Sequence, residues 1–192
     1  MNIFSHLLAL LLLTHWAGAA SVTLSLPAAT GHAGSTVSMP ISVRDAQGMG
    51  AFQCDVLYPP FLLESTDVKP GTLPTGLFNH KVIEPGRLRI VMAGDSQNPV
   101  KGSGTLFDLQ FKALPGAAAA PMPIILDRAR AWEQNKDSLE MRVITENGSF
   151  MPGFDFAKYQ WLLIGGGVAV LLLLVLIVRR KKKTPAAADS AN

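Results

Sequence analysis

The side chains that most often carry catalysis or bind metals are few in this sequence and lie far apart. His32 and His80 stand in separate segments without a nearby cysteine, second histidine or paired carboxylates, so neither matches a zinc site. The sequence also lacks a glycine-rich phosphate loop, a G-x-S-x-G nucleophile elbow and the acidic spacing of an EF-hand. We therefore predict a protein that is not an enzyme and needs no cofactor or metal.

Oxygen-bearing side chains gather around one polar turn near residue 134. Asp127, Glu133 and Asp137 could offer oxygens to calcium, but Arg128 and Arg130 would oppose a cation at the same place. We interpret this stretch as a polar surface loop.

Two residues are candidates for covalent modification. Cys54 is the only cysteine, so the chain cannot form an internal disulfide and must be stabilised by its own core. Its place in an alternating apolar pattern predicts a buried thiol, with an intermolecular bridge or a reactive thiol as the alternative. Asn147-Gly-Ser fits the N-glycosylation acceptor pattern, which a chance turn tripeptide also produces.

The elements that hold these side chains are short β-rich runs separated by Gly, Pro, Asn and Asp. Nine such runs at this spacing predict an all-β domain over residues 21–150, a nine-stranded sandwich or jelly roll. The predicted strands are Ser21–Leu26, Ser35–Val43, Gly50–Tyr58, Phe61–Val68, Phe78–Ile83, Arg87–Ala93, Gly104–Ala113, Met122–Trp132 and Met141–Thr145.

Alternation within the strands predicts which side chains face the core. In the third strand Phe52, Cys54, Val56 and Tyr58 point one way, while Gln53, Asp55 and Leu57 point the other. In the sixth strand Leu88, Ile90 and Met92 oppose Arg87, Arg89 and Val91. Broken alternation predicts a bulge near Phe107 and Asp108, and Glu84-Pro85-Gly86 predicts a hairpin turn.

Both ends of the chain carry membrane-targeting patterns. The apolar run 7–13 followed by small residues predicts a signal peptide over residues 1–20, with an uncleaved N-terminal anchor as the alternative. Residues 161–178 contain no charge and would reach about 27 Å as a helix, which predicts a single transmembrane span in contact with lipid. The cations at 179–183 place the basic tail, residues 179–192, in the cytoplasm and the β domain on the extracytoplasmic side, periplasmic or at the cell surface. Residues 151–160 form the juxtamembrane linker.

The charge of the exported part argues against nucleic acid as a partner. Residues 21–160 contain twelve Lys or Arg and thirteen Asp or Glu, without a basic block, and the net positive charge of the chain comes from its tail.

The order of short motifs along the β domain resembles a cohesin domain, the nine-stranded jelly-roll module that binds dockerins in cellulose-degrading assemblies. The resemblance covers most of residues 21–150, although Pro59 stands where the family usually has Asp. The runs that carry it are residues 22–24, 34–43, 48–58, 59–64, 69–73, 88–93 followed by Asp95, 102–112 and 144–149.

Together with the predicted transmembrane span, this resemblance implies a non-catalytic, membrane-tethered scaffolding or adhesion module whose partner is an exported protein, such as one bearing a calcium-loaded dockerin. It also implies a link to polysaccharide degradation, and the alternative function is a carbohydrate-binding domain displayed at the membrane. Gln53 and Asp55, which flank Cys54, are similar to a polar-Cys-Asp pattern used in dockerin contact. Exposed Asn79, Lys81, Arg87 and Arg89 would extend that surface, for which the alternative is an ordinary solvated sheet face.

Overall fold

The structure, a computed structural model, describes residues 20–153 with the exception of residues 96, 117, 119 and 135–138. In that part of the chain the backbone forms ten strands and no helix, so the predicted all-β class is confirmed. The strands are β1 (Ser21–Ser25), β2 (Ala28–Gly31), β3 (Thr36–Leu57), β4 (Leu63–Pro70), β5 (Leu77–Glu84), β6 (Arg87–Ala93), β7 (Val100–Ala113), β8 (Met122–Glu133), β9 (Glu140–Glu146) and β10 (Gly148–Pro152).

β3 joins two predicted strands, Ser35–Val43 and Gly50–Tyr58, into one. Its first half pairs with β1 and β7, and its second half pairs with β6 and β8. Between the halves the register with β7 shifts on both sides of Ala46, and Asp45 and Gly48 adopt positive φ angles of 61° and 88°. These irregularities carry the chain from one layer into the other, as bulges and bends do where a strand switches sheets.

Two layers of strands enclose the core. One layer contains β4, β7, the first half of β3, β1 and β9, and the other contains β5, β6, the second half of β3 and β8. The ring of Phe107 from the first layer lies 6.1 Å from Phe52 and 5.2 Å from Phe78 of the second layer. These tilted aromatic contacts connect the two layers at the centre of the domain.

Several details of the predicted strands are confirmed. The side chains predicted to face inward in the second half of β3, those of Phe52, Cys54, Val56 and Tyr58, are all buried. β7 has an extra residue opposite the Ile41–Ser42 step, so Leu106 and Phe107 are both buried, which is the predicted bulge. Gly86 in the β5–β6 turn has a φ angle of 87°, as a glycine in this turn permits.

Two strands were not predicted, which makes the count of nine wrong for the described residues. β2 and β10 pair with each other in parallel, and β10 also pairs with β8. Their sequences, AATG and GSFMP, are short and lack β-branched alternation, so only the pairing between distant segments makes them strands. β10 includes the first two residues of the predicted linker.

No helix within the described residues is long and apolar enough to cross a membrane. The predicted transmembrane segment 161–178, the basic tail and residues 154–160 of the linker lie outside the described residues, as does the predicted signal peptide except for Ala20.

Candidate functional site

The outward side of β5, β6, the second half of β3 and β8 brings together the residues that the sequence singled out. We call this surface the outer face. Residues paired directly across neighbouring strands project to the same side of a sheet. The register places Asp55 opposite Arg89 and Arg89 opposite Lys81, and it places Gln53 opposite Val91 and Val91 opposite Asn79; Arg87 is opposite Leu57. All six candidates, Gln53, Asp55, Asn79, Lys81, Arg87 and Arg89, therefore share the outer face.

Asp55 points toward this face, as alternation predicted, but its carboxylate is not exposed. Its side chain is 0% exposed. Arg89 donates from Nε to Oδ1 at 2.7 Å and from Nη2 to Oδ2 at 2.9 Å, and Arg87 donates from Nη1 to Oδ2 at 3.0 Å. Both arginines extend across the carboxylate and shield it from water, as long side chains can do on a sheet surface. A molecule placed on this face would meet the two arginines and not the carboxylate itself.

The electrostatics of this cluster favour its charged form. The hydrogen bond from Arg89 is the largest cause that lowers the pKa of Asp55, burial opposes it, and Arg87 adds to the lowering. The same bonds raise the pKa of Arg87 and of Arg89. The carboxylate is consequently ionised at neutral pH, and the two guanidinium groups are fixed in direction.

Arg87 extends the cluster toward β8 and the β5–β6 turn. Its Nε donates to Oε1 of Glu84 at 2.9 Å, and its Nη1 lies 3.4 Å from Oδ2 of Asp127. Asp127 reaches this position because β8 has one extra residue between Asp127 and Arg130, opposite the Gln53–Asp55 step of β3. Arg128, in that bulge, has a φ angle of 50°. Without the bulge, residues three apart would face opposite sides of the sheet.

The structure gives Asp127 a role other than calcium binding. Besides Arg87, the carboxylate also has Arg128 nearby, with Nε 3.7 Å from Oδ2. The described residues contain no group of three or more His, Cys, Asp or Glu side chains that could hold a metal ion, and Asp137 lies outside them.

An apolar patch that the sequence analysis missed adjoins the arginine cluster. Leu77 is 83% exposed and Val91 is 37% exposed. Leu77 lies opposite exposed Ala93, and Val91 lies opposite exposed Asn79. We call Leu77, Val91 and Ala93 the Leu77 patch. These three residues, together with Phe78, Asn79 and Met92, line an open depression of about 290 Å³. The sequence feature that could have revealed this patch is Val91, a β-branched apolar residue on the same side of β6 as the two arginines.

Trp132 bears on the carbohydrate-binding alternative. The guanidinium carbon of Arg130 lies 5.1 Å from the centre of the half-buried Trp132 ring, and Arg130 forms a bidentate pair with Glu140 at 2.8 and 3.0 Å. The register with Ala51 places Trp132 at an outward position. No other aromatic residue occupies a described outward position of these four strands. Sugar-binding platforms stack several coplanar rings, so the outer face offers no such platform.

The family of this domain follows from comparison with known proteins. A sequence profile described as the cohesin domain matches residues 22–150. The chain belongs to the cohesin domain family. Cellulosomal-scaffolding protein A of Acetivibrio thermocellus is 32% identical over 123 residues, which cover 56% of this chain and 6% of that protein. The cohesin described here thus matches a small part of a much longer scaffolding protein.

Solved structures of cohesins share the fold. A non-cellulosomal cohesin from the hyperthermophilic archaeon Archaeoglobus fulgidus superposes with a TM-score of 0.62 at 25% identity, over 73% of this chain and 98% of that one. The sixth cohesin of scaffoldin B from Acetivibrio cellulolyticus, solved in complex with a dockerin, gives a TM-score of 0.63 at 17% identity, over 69% and 99% of the two chains. The β-sandwich of this protein is therefore a cohesin fold.

Proposed function

We propose that this protein is a membrane-tethered, non-catalytic cohesin module that binds an exported, dockerin-bearing protein through the outer face. The observation that carries the proposal is that the fixed arginine cluster and the exposed Leu77 patch lie next to each other on that face. Membership of the cohesin family and the dockerin bound to the Acetivibrio cellulolyticus cohesin support the class of partner.

The arginine cluster is suited to recognition because its geometry is set before binding. Arg89 uses Nε and one Nη2 donor on Asp55, and a guanidinium has five N–H donors, so several remain for a partner. A side chain already held in place loses less conformational entropy on binding than a free one. Lys81, which forms no ion pair with any described residue, adds a mobile cation beside them. These donors favour a partner that presents carboxylates or carbonyl oxygens.

The Leu77 patch supplies the apolar part of such an interface. An exposed leucine beside an exposed valine is the kind of site where a partner side chain can be buried, with polar contacts around it. The matching dockerin surface would carry an apolar side chain flanked by acceptors.

Binding of the full chain in detergent micelles to a panel of purified, calcium-loaded dockerins tests this proposal. Leu77→Ala should weaken binding about five-fold or more, because roughly 1 kcal/mol of apolar burial is lost. Ile144→Ala is the matched control, since Ile144 is 44% exposed on β9 in the other layer. Equal binding by both variants would move the interface elsewhere, and a chain that binds none of the dockerins would overturn the assigned partner class.

Membrane tethering is a separate part of the proposal. Residues 161–178 are uncharged and end at five cations, a pattern that stops translocation and leaves the domain outside. Alkaline carbonate should not extract the full chain from membranes, whereas a chain ending at residue 160 should be released. If the shortened chain stayed membrane-bound, residues 1–20 would be an uncleaved anchor.

A further inference from the structure

The end of the sandwich at which the described chain stops is built from four turns, which we call the exit end. They are residues 31–35, 58–62, 84–86 and 114–116. Backbone hydrogen bonds connect these turns to one another and to Gly153, joining Gly153 to Gly31 (2.8 Å), Gly34 to Ala113 (2.7 Å), Leu114 to Leu62 (2.8 Å) and Tyr58 to Gly86 (2.9 Å).

The four turns of the exit end carry little charge, although Glu64 and Lys112 lie opposite each other in the strands beside them. Its four turns read GHAGS, YPPFL, EPG and LPG, which contain no Lys or Arg and a single carboxylate, that of Glu84. Arg87 pairs with that carboxylate at 2.9 Å. Large apolar side chains are exposed on and beside these turns, with Phe61 56%, Ile83 46%, Val82 44% and Met151 38% exposed.

The opposite end of the sandwich combines more charge with exposed apolar residues such as Leu77 (83% exposed) and Leu139 (57% exposed). The described residues of the segments that lie there, 44–48, 94–95, 97–104, 133–134 and 139–140, include the charged residues Arg44, Asp45, Asp95, Lys101, Glu133 and Glu140. Surface turns that face water are usually polar, and clustered exposed apolar side chains mark contact with another apolar phase or protein. The exposed apolar side chains of the exit end have few charges among them and are therefore suited to contact with an apolar phase.

We propose that the exit end rests on the lipid surface, with Phe61 and its apolar neighbours in the headgroup region of the bilayer. This inference rests on the proposed membrane tether. Residues 154–160 reach at most about 25 Å before the uncharged run begins at residue 161, so the exit end must stay close to the bilayer. An aromatic side chain among turns of little charge suits the membrane interface, where apolar groups insert by about 5 to 10 Å.

This arrangement would also keep the Leu77 patch of the binding surface away from the lipid. Leu77 pairs with Ala93, which pairs with Ala51, at the opposite end of the outer face from Tyr58. Ala51 and Tyr58 are seven positions apart along extended chain, a distance of about 23 Å. The Leu77 patch would thus stand clear of the headgroups and remain open to a partner.

Lipid quenching of a fluorescent label on the full chain tests the inference. Phe61→Cys and Leu77→Cys variants are labelled with an environment-sensitive thiol dye and reconstituted into phosphatidylcholine vesicles, with and without brominated acyl chains. The native Cys54 is 0% exposed, so the unsubstituted chain serves as the unlabelled control. We expect loss of emission in brominated vesicles, with a blue shift, for the label at position 61 and not for the label at position 77.

Two results would overturn the inference in distinguishable ways. If the vesicles retain the protein in alkaline carbonate but the label at position 61 is not quenched, the tether stands and the lipid contact is wrong; a blue shift that depends on protein concentration would then indicate a second copy at the exit end. If carbonate releases the protein and neither label is quenched, the tether itself fails and the lipid contact fails with it.

Discussion

Replacing Asp55 by Ala should destabilise the domain, because the carboxylate is fully buried beneath two arginines. The substitution removes the acceptor for hydrogen bonds from Arg89 at 2.7 and 2.9 Å and from Arg87 at 3.0 Å. The two guanidinium groups would then repel each other across the vacated position. This outcome is the reverse of what an exposed Asp55 would give.

The size of the stability loss depends on how far water can solvate the two arginines. Removing one partner from a fully buried ion pair costs about 3 to 5 kcal/mol. Here the side chains of Arg87 and Arg89 are 22% and 36% exposed, so water can solvate part of the charge left behind. We therefore expect a loss of about 1 to 3 kcal/mol, typical of a buried acceptor removed from charged donors. For a domain of this size that lowers Tm by about 4 to 12 °C.

Thermal melting followed by circular dichroism measures this effect, and Glu140→Ala is the matched control. Glu140 forms the same bidentate pair, with Arg130 at 2.8 and 3.0 Å, but the two side chains are 48% and 54% exposed. Water replaces the lost contacts of such a surface pair, so its Tm should change little. If Asp55→Ala melted at the same temperature as Glu140→Ala, the structural role of Asp55 would be refuted.

The pH dependence gives an independent check. The pKa of Asp55 is lower in the folded protein than in the unfolded chain, so its stabilising contribution is present above the ordinary value of about 4. The contribution is lost as pH falls through the lowered folded-state pKa. The Tm difference between the native protein and Asp55→Asn should accordingly be constant from neutral pH down to about 4 and shrink below it. A difference that disappeared well above pH 4 would contradict the lowered pKa.

Three further predictions concern single residues of the scaffold. Cys54 should react with a thiol reagent only after unfolding, since burial raises the pKa of its thiol; rapid labelling of the native protein would show otherwise. Gly86→Ala should lower Tm more than Gly34→Ala. Both residues have positive φ angles, but a Cβ at Gly86 would lie 2.8 Å from the backbone oxygen of Tyr58, whereas a Cβ at Gly34 would meet open space. Equal Tm values for the two variants would exclude that clash. Asn147→Ala should destabilise the domain by about 1 kcal/mol, because Asn147 Oδ1 accepts a hydrogen bond from the amide of Leu126 at 3.0 Å. Denaturant titration measures this loss, and an unchanged free energy of unfolding would contradict it.

Local patterns in the sequence were sufficient for the fold class and for most of the inward-facing residues. Alternation identified Cys54 and its neighbours as core because a strand's side chains alternate regardless of what the strand pairs with. The turn at Gly86 was also predictable, because Pro and Gly favour a turn and Gly tolerates a positive φ angle. The membrane anchor stays a prediction from the sequence, which rests on the length of an apolar run and its lack of charge.

Other features depend on residues far apart in the chain. β2 and β10 are strands only because residues 28–31 meet residues 149–152, and no local pattern encodes that meeting. The grouping of charge and apolar surface on the outer face arises from the register of four strands, in which Leu77 comes to lie beside Ala93.

Asp55 shows most clearly where the sequence stops being informative. Its position in the strand fixed the side of the sheet to which it points, and the cohesin resemblance singled it out. Its burial depended on Arg87 and Arg89, which are more than thirty residues away and are brought alongside by the pairing of β3 with β6. Alternation determines direction from neighbouring residues alone, whereas exposure depends on what other strands place above the side chain, and only tertiary structure decides that.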